Sequence, residues 1–330
     1  MSRAGVFWIL VLSVVLFVVF PYRVRTGVGL VPEWGGGEGG DVGRVVWVYG
    51  GPGVVGAVGE EGWREVRGEG VVGGRWGVVA REGDGWVVRG WDGRVQGRLP
   101  DRGVPFVKDD RLFMVGRFGR RVWEWGTDGE ERGMWVHAGM LTALDVRGGV
   151  MAAGEVGGRV VVRGRGGEGV WEGGGVVYGV ALSPNLSLCA AVVGLHPQQV
   201  VLLGIDGGLE ERMRFVLDSS FRRPVFLSFL SDTLLGVESA QGFLLVDLRT
   251  REIWTLPLSS PRLTAALGAD LHLVDHGDGP GRMLSFISSL MHAVLFSLPL
   301  PPPAFSGSEG RRVFLRHPGG VFSLSLEDDV

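Results

Sequence analysis

The chain has 330 residues, 33 basic and 36 acidic side chains for a formal net charge of −3, and 59 glycines against 16 prolines. Glycine at that level without a Gly-X-Y period excludes collagen, and a hydrophobic content of 45% excludes a disordered polymer. Lys108 is the only lysine and the arginines scatter among the acids, so no basic face for nucleic acid is evident, and Cys189, standing alone, excludes an internal disulfide or a Cys-rich metal motif.

Residues 6–20, VFWILVLSVVLFVVF, are uncharged and continuously apolar, and with Ala4 and Gly5 they reach the lower length limit of a membrane-spanning helix. No A-x-A cleavage pattern follows and no cysteine follows for lipidation, so an uncleaved signal anchor is favoured over a removed signal peptide. Arg3 and the amino terminus lie on one side, Arg23 and Arg25 on the other, so the positive-inside rule nearly balances; the bulk is expected outside the cytoplasm, in a periplasm or its equivalent. Residues 26–43 contain GGGEGGDVG and read as a flexible spacer. Gly35, Gly37 and Gly40 match G-x-G-x-x-G, but no strand precedes them and no helix follows, so no dinucleotide site is expected.

From Arg44 onward short strand signals alternate with glycine turns. Residues 45–49, 54–58 and 63–66 make a first set, 76–80, 86–90 and 94–98 a second, and 112–116, 122–125 and 131–135 a third. The clearest unit is 141–163, LTALDVRGGVMAAGEVGGRVVVR, in which Gly148-Gly149 and Gly157-Gly158 separate three strands. Residues 177–183, 188–193, 199–205 and 209–215 form a fifth set, and 225–230, 234–238, 243–247 and 252–256 a sixth. The turns near Asp92, Asp128, Gly166, Asp206 and Leu248 recur about every 36 to 42 residues, the period of four-stranded propeller blades.

Residues 263–303 are less regular. Residues 271–274 suggest one strand and 283–298 two more around Ser288-Ser289; a second membrane helix there is disfavoured by Ser285, Ser288, Ser289, His292 and Ser297. The prolines at 299 and 301–303 mark a loop. Residues 313–316 and 321–326 end the chain as strands short of a full set, which residues 44–49 are expected to complete by closing the ring. The expected fold is all-β, a β-propeller of seven, or alternatively eight, four-stranded blades. The expected domains are a signal anchor over 1–25 with a transmembrane helix at about 4–20, a Gly-rich linker over 26–43 and a propeller over 44–330.

The segments LTALDVRGGVMAAGEVGGRVVVRG and VYGVALSPNLSLCAAVVG resemble WD-repeat blades: an inner strand, a turn, a small-residue strand, then glycine and a valine-rich strand. Trp91-Asp92 resembles that family's terminal dipeptide, and His137 is the one candidate remnant of its buried Asp-His-Ser-Trp network. The resemblance implies a scaffolding role and does not separate WD-repeat from quinoprotein-like propellers.

His272, Asp275, His276 and Asp278, in HLVDHGDG, form the densest set of potential metal ligands. Gly277, Gly279 and Pro280 argue for a solvated interblade turn; on a strand rising ~3.3 Å per residue the two histidines stand too far apart to share an ion. His137, His196, His292 and His317 are scattered, and no nucleophile motif is present. No residue is therefore assigned as catalytic, cofactor-binding or metal-binding. Trp76, Trp86, Trp91, Trp123, Trp125, Trp135 and Trp171 are expected between adjacent sheets, with a ligand-stacking platform the alternative. The Arg-rich turns at 117–121 and 163–165 read as a solvated face, or as a contact for an acidic protein. The expected function is a membrane-anchored, monomeric interaction scaffold that binds protein partners through blade loops, without catalysis, cofactor or nucleic acid. The alternative is an enzyme using the central channel, a quinone-dependent dehydrogenase or a glycan-processing hydrolase, which requires carboxylates or histidines converging on the axis.

Overall fold

Valine-rich strands of five to seven residues, cut by glycine turns, can bury both faces only by stacking sheet against sheet. A computed structural model describes residues 28–34, 45–51, 54–59, 63–68, 70–164, 166–267, 270–278, 281–299, 305–309, 312–317 and 320–328. Strand β1 (Val28–Trp34) is the first of the described strands. The first sheet then has three strands, β2 (Val45–Gly51), β3 (Val54–Gly59) and β4 (Trp63–Arg67). The second holds β5 (Val72–Gly74), β6 (Gly77–Glu82), β7 (Gly85–Arg89) and β8 (Val95–Pro100), and the third β9 (Gly103–Lys108), β10 (Arg111–Gly116), β11 (Arg121–Trp125) and β12 (Glu131–Val136). The fourth holds β13 (Leu141–Arg147), β14 (Val150–Glu155), β15 (Arg159–Gly164) and β16 (Gly167–Glu172), and the fifth β17 (Val177–Leu182), β18 (Leu188–Val193), β19 (Gln199–Gly204) and β20 (Glu210–Val216). The sixth holds β21 (Leu227–Phe229), β22 (Leu234–Ser239), β23 (Gly242–Asp247) and β24 (Ile253–Leu256), and the seventh β25 (Leu263–Ala266), β26 (Leu271–His276), β27 (Met283–Ser288) and β28 (Ala293–Pro299). The eighth is built from β29 (Phe305–Glu309), β30 (Arg312–His317), β31 (Gly320–Asp328) and, on the outside, β1.

Each sheet is an antiparallel meander, and first strands of successive sheets meet around the ring, which places them at the axis. Among the described residues the architecture is thus a β-propeller of seven four-stranded sheets and one three-stranded sheet. The seven four-stranded blades expected are present, and the three-stranded sheet stands in the ring beside them. What differs is the closure: residues 44–49 are expected to complete the last sheet, whereas β2 begins its own sheet, and β1 closes the ring by pairing with β31 from Val28↔Asp328 to Trp34↔Phe322. Residues 28–34, expected as part of a spacer, therefore form a strand. The expected membrane segment at 6–20 and the rest of the Gly-rich stretch, 35–43, lie outside the described residues, as does the proline loop at 301–303. Among the described residues no helix is long and apolar enough to cross a membrane.

The two-residue period of the strands decides which neighbour each side chain meets. On β10, Leu112 and Met114 join Trp86, Val88 and Leu99 of the second sheet, while Phe113 between them turns to Val146 and Met151 of the fourth. Burying Phe113 completely contributes about 2–3 kcal/mol. The same layering recurs between the fourth and fifth sheets, the fifth and sixth, and the sixth and seventh. Phe314 of β30 meets Tyr49, Val58 and Trp63 of the first sheet across the closure.

The connections from third to fourth strands explain the sequence period. Gly93 at φ 86° and Gly129 at φ 85° occupy the left-handed region that L side chains avoid, and the preceding aspartates accept amide hydrogen bonds two residues on, Asp92 from Arg94 at 2.9 Å and Asp128 from Glu130 at 3.1 Å. Gly166, Asp206 and Leu248 mark the equivalent connections in the next three sheets.

Candidate interaction site

Among the described residues a rim groove and an axial concavity both carry charged side chains. The larger lies at the rim, on the face of the third sheet turned towards the second, and measures about 1040 Å³. Its walls come from the connection between β8 and β9, the turn between β10 and β11, and β12. Gly119, at φ 63°, lets that turn close, its amide donating to the Gly116 carbonyl at 2.8 Å, and the turn holds Phe118 outward. On β12 the strand alternation sends Trp135 inward and Met134 and Val136 outward. Phe118 is 85% exposed, Met140 53%, Val136 51% and Met134 49%. Met140 reaches over the same turn, its Cγ 3.0 Å from where a Cβ on Gly119 would stand. Buried Trp123 contributes to the lining beneath them.

Four arginines and two carboxylates line this groove. Arg117 donates to Asp101 at 2.8 Å and Arg102 to Glu131 at 3.1 Å, so both carboxylates are engaged within the wall. Arg120 donates to the Ala138 carbonyl at 2.7 Å, and Arg121 makes no ion pair among the described residues. Two cationic charges are left without a carboxylate partner.

The second concavity, about 540 Å³, runs along the axial side past β13, β17 and β21. Here Lys108 Nζ lies 2.9 Å from Asp145, which also accepts the buried Leu182 amide at 2.8 Å. Arg223 grips Glu238 with two hydrogen bonds, 2.7 and 3.0 Å, and Glu238 accepts the Phe226 amide at 3.2 Å. The Glu238 carboxylate raises the pKa of Arg223 above the usual arginine value. Asp145 and Glu238 are the only carboxylates in this lining, which contains no histidine. The converging carboxylates or histidines that channel chemistry would need are not assembled in it.

The ligand-like cluster of the seventh sheet is arranged differently from the expected solvated turn. His272, Asp275 and His276 are buried along β26, and only Asp278 reaches the exposed turn beyond it. Arg282 binds both oxygens of Asp275, and His276 Nε2 lies 2.8 Å from Ser285 Oγ. Neither ring nitrogen of His272 meets a hydrogen-bond partner among the described residues, and burial pushes its pKa down to about 4. Among the described residues no three His, Cys, Asp or Glu side chains gather as metal ligands.

His137, the candidate remnant of a buried polar network, does meet a buried acid: its Nδ1 lies 3.4 Å from Glu155, which also accepts the Gly139 amide at 2.8 Å. Burial and then the Arg163 guanidinium hold the imidazole below its ordinary pKa, against the pull of Glu155. The His137 amide donates to the Arg120 carbonyl at 2.8 Å, tying this network to the rim turn. Trp86, Trp91, Trp123 and Trp125 are buried, while Trp76, Trp135 and Trp171 are half-buried. Trp86 Nε1 donates across to Gly103 of the third sheet at 3.2 Å and Trp76 Nε1 to Asp110 at 2.9 Å, as side chains filling the space between sheets would. Cys189 is fully buried and its thiol pKa is raised by burial.

Sequence reasoning singled out the arginines of the rim turn and missed the apolar set beside them. The available signal was the alternation in ERGMWV, which, once Trp135 is placed inward, exposes Met134 and Val136.

Three solved structures share the architecture. BamB from Moraxella catarrhalis superposes with a TM-score of 0.58 at 12% identity, over 92% of this chain and 95% of that one. A chain of a mitotic checkpoint complex gives 0.54 at 13% identity, covering 78% and 85%, and Hsv2 from Kluyvelomyces marxianus gives 0.51 at 10%, covering 72% and 84%. At such identities the likeness is one of fold. No curated protein matches the sequence. A family model described as a beta-propeller protein matches residues 75–270, more than half of the chain, and the chain therefore belongs to that β-propeller family.

Proposed function

We propose that this chain is a membrane-anchored β-propeller that serves as a protein-interaction platform outside the cytoplasm and performs no reaction of its own. The observation that carries the reading is the rim groove, where Phe118, Met134 and Val136 remain exposed beside arginines, with exposed Met140 over the adjoining turn. Large apolar side chains gathered on one concave surface mark contact sites, and arginine and aromatic residues are the types enriched there. The fold supports the same role: a chain of similar architecture belongs to the solved mitotic checkpoint complex. The apolar run at 6–20 supplies the anchor in this reading.

Mild crosslinking of the full chain in its membrane, followed by affinity capture, is expected to give adducts containing a second polypeptide. A monomeric chain that yields no adduct under conditions that crosslink known complexes removes the platform reading. For topology, a reporter fused at Val330 is expected to be active only outside the cytoplasm, with residues 1–25 retained on the mature protein. A reporter active in the cytoplasm overturns the orientation, and a mature amino terminus near Val28 overturns the anchor.

A further inference from the structure

We infer that the rim groove receives an extended acidic segment of a protein partner, which brings one large apolar side chain against Phe118 while its carboxylates meet Arg120 and Arg121. This deepens the platform reading and rests on it. Charge selects the occupant. The groove's own carboxylates, Asp101 and Glu131, are taken up by Arg117 and Arg102, so the lining keeps an excess of two positive charges on its open side. A basic segment would face like charge there, and an acidic one finds guanidinium donors already held in place, Arg120 by the Ala138 carbonyl. The apolar part of the occupant follows from Phe118, which at 85% exposure projects from a turn fixed by the Gly119–Gly116 hydrogen bond, with Met140 lying across that turn. Methionine and phenylalanine together form a pliant apolar seat that accepts one bulky side chain.

Shape selects an extended chain. Among the described residues the outer strand β12 pairs with β11 alone, so its other edge faces outward along the same wall that presents Met134 and Val136, with the Val136 carbonyl accepting from Arg163 at 3.3 Å and the edge beyond it open to a further strand. A strand-like segment can satisfy that edge while its alternate side chains face the groove. A folded, convex partner could not follow both the turn and the edge.

The test uses the full chain in detergent and three labelled peptides: one with a single Phe flanked by Glu and Asp, the same peptide with Lys in place of the acids, and the acidic peptide with Ala for Phe. The acidic Phe peptide is expected to bind at least about tenfold more tightly than either control and to weaken as salt is raised. Arg121→Glu and Phe118→Ser, both at exposed positions, are each expected to abolish that preference while leaving the thermal transition of the chain in place. Equal binding of all three peptides, or none, overturns the inference. In membranes, a photo-crosslinking residue placed at position 118 is expected to capture a net-acidic segment of another protein, and the same residue at position 290, also exposed, to capture none. Capture of a basic segment, or of a second copy of this chain, at position 118 overturns the inference. Capture at 290 alone sinks the groove but leaves the platform reading standing, and capture at neither sinks both.

Discussion

The axial channel and the rim groove are both concave and each is lined by four cationic and two acidic side chains, yet they differ in what the carboxylates hold and in what faces solvent beside them. In the channel each carboxylate meets a cation and a backbone amide within the wall: Asp145 holds Lys108 and the Leu182 amide, and Glu238 holds Arg223 and the Phe226 amide. In the rim groove two of four arginines, Arg120 and Arg121, find no carboxylate among the described residues, against Arg147 alone of the four channel cations, since Arg262 reaches Asp278; and at the rim large apolar side chains beside the arginines face solvent. A polar group that satisfies its neighbours holds sheets together, whereas one left over is available to something outside the chain. Substitutions in the channel should therefore cost stability, and substitutions at the rim should cost binding.

The largest effect should come from removing both concavities at once. Both sit on sheets whose ring closes through β1 lying against β31. Truncation before Arg312 removes β30 and β31, leaving β1 without its partner and the first sheet without Phe314, and deletion of residues 28–34 uncovers the edge of β31; both are expected to abolish the single cooperative thermal transition and give aggregated or protease-sensitive protein. Removal of residues 1–25 should leave the transition intact. A truncated chain that melts like the parent would replace the closed ring with an open array.

Next in size are the channel acids. Asp145→Ala leaves the buried Leu182 amide without its acceptor, and Glu238→Ala does the same to the Phe226 amide while freeing Arg223. Each is expected to cost about 1–3 kcal/mol in urea unfolding. Asp145→Asn keeps an acceptor for Leu182 and should cost less than Asp145→Ala; equal losses would mean that the Lys108 ion pair, not the amide, carries the contribution.

Acid should separate the interior from the rim in another way. His272 is buried with its folded pKa lowered from 6.5 to about 4, so the unfolded chain binds the extra proton first as pH falls. The sign follows: stability is full above about pH 6.5 and is lost progressively as pH falls from there towards 4, by roughly 2 kcal/mol at pH 5 for this residue alone. His137 and His276, also lowered, act in the same direction. His272→Leu should flatten this part of the pH profile of thermal unfolding. The guanidinium groups of the rim keep their charge throughout, so peptide binding at pH 5 should persist below the melting temperature. An unchanged pH profile in the variant would show that His272 is not the titrating group.

Much of the ring could be read from residue order, because turn chemistry repeats once per sheet. Asp92, Asp128, Gly166, Asp206 and Leu248 all fall between third and fourth strands, where the chain must reverse tightly. The inner strands β5 and β9 escaped notice because VGG and GVPFVK are short and broken by glycine or proline, and tertiary pairing with β6 and β10 makes them strands. For the same reason β1, VGLVPEW, reads as part of a spacer until its partner, almost three hundred residues away, is in place. Gly277, Gly279 and Pro280 drew the turn too early, since the ladder between β26 and β27 continues through His276. The arginines of the rim stand out in any sequence, but the outward aim of Met134 depends on which of two alternating sets Trp135 occupies, and only the packing of Trp135 against the core settles that.

The smallest expected effect on stability is also the sharpest test of the comparison. Phe118 is the most exposed large hydrophobic side chain among the described residues, so replacing it with serine removes almost no contact from the folded state. The thermal transition should stay within about 0.5 kcal/mol of the parent. Met134→Ser, on a strand position that also faces out, should behave alike. Both variants should nevertheless lose the preference for an acidic peptide carrying Phe, while Asp145→Asn, less stable, should retain it at temperatures where it remains folded. If Phe118→Ser instead destabilises the chain by more than 1 kcal/mol or so, the ring is already covered by a segment of its own. The exposed turn would then be part of the core, and the division between a channel whose acids hold buried amides and an available rim would have to be abandoned.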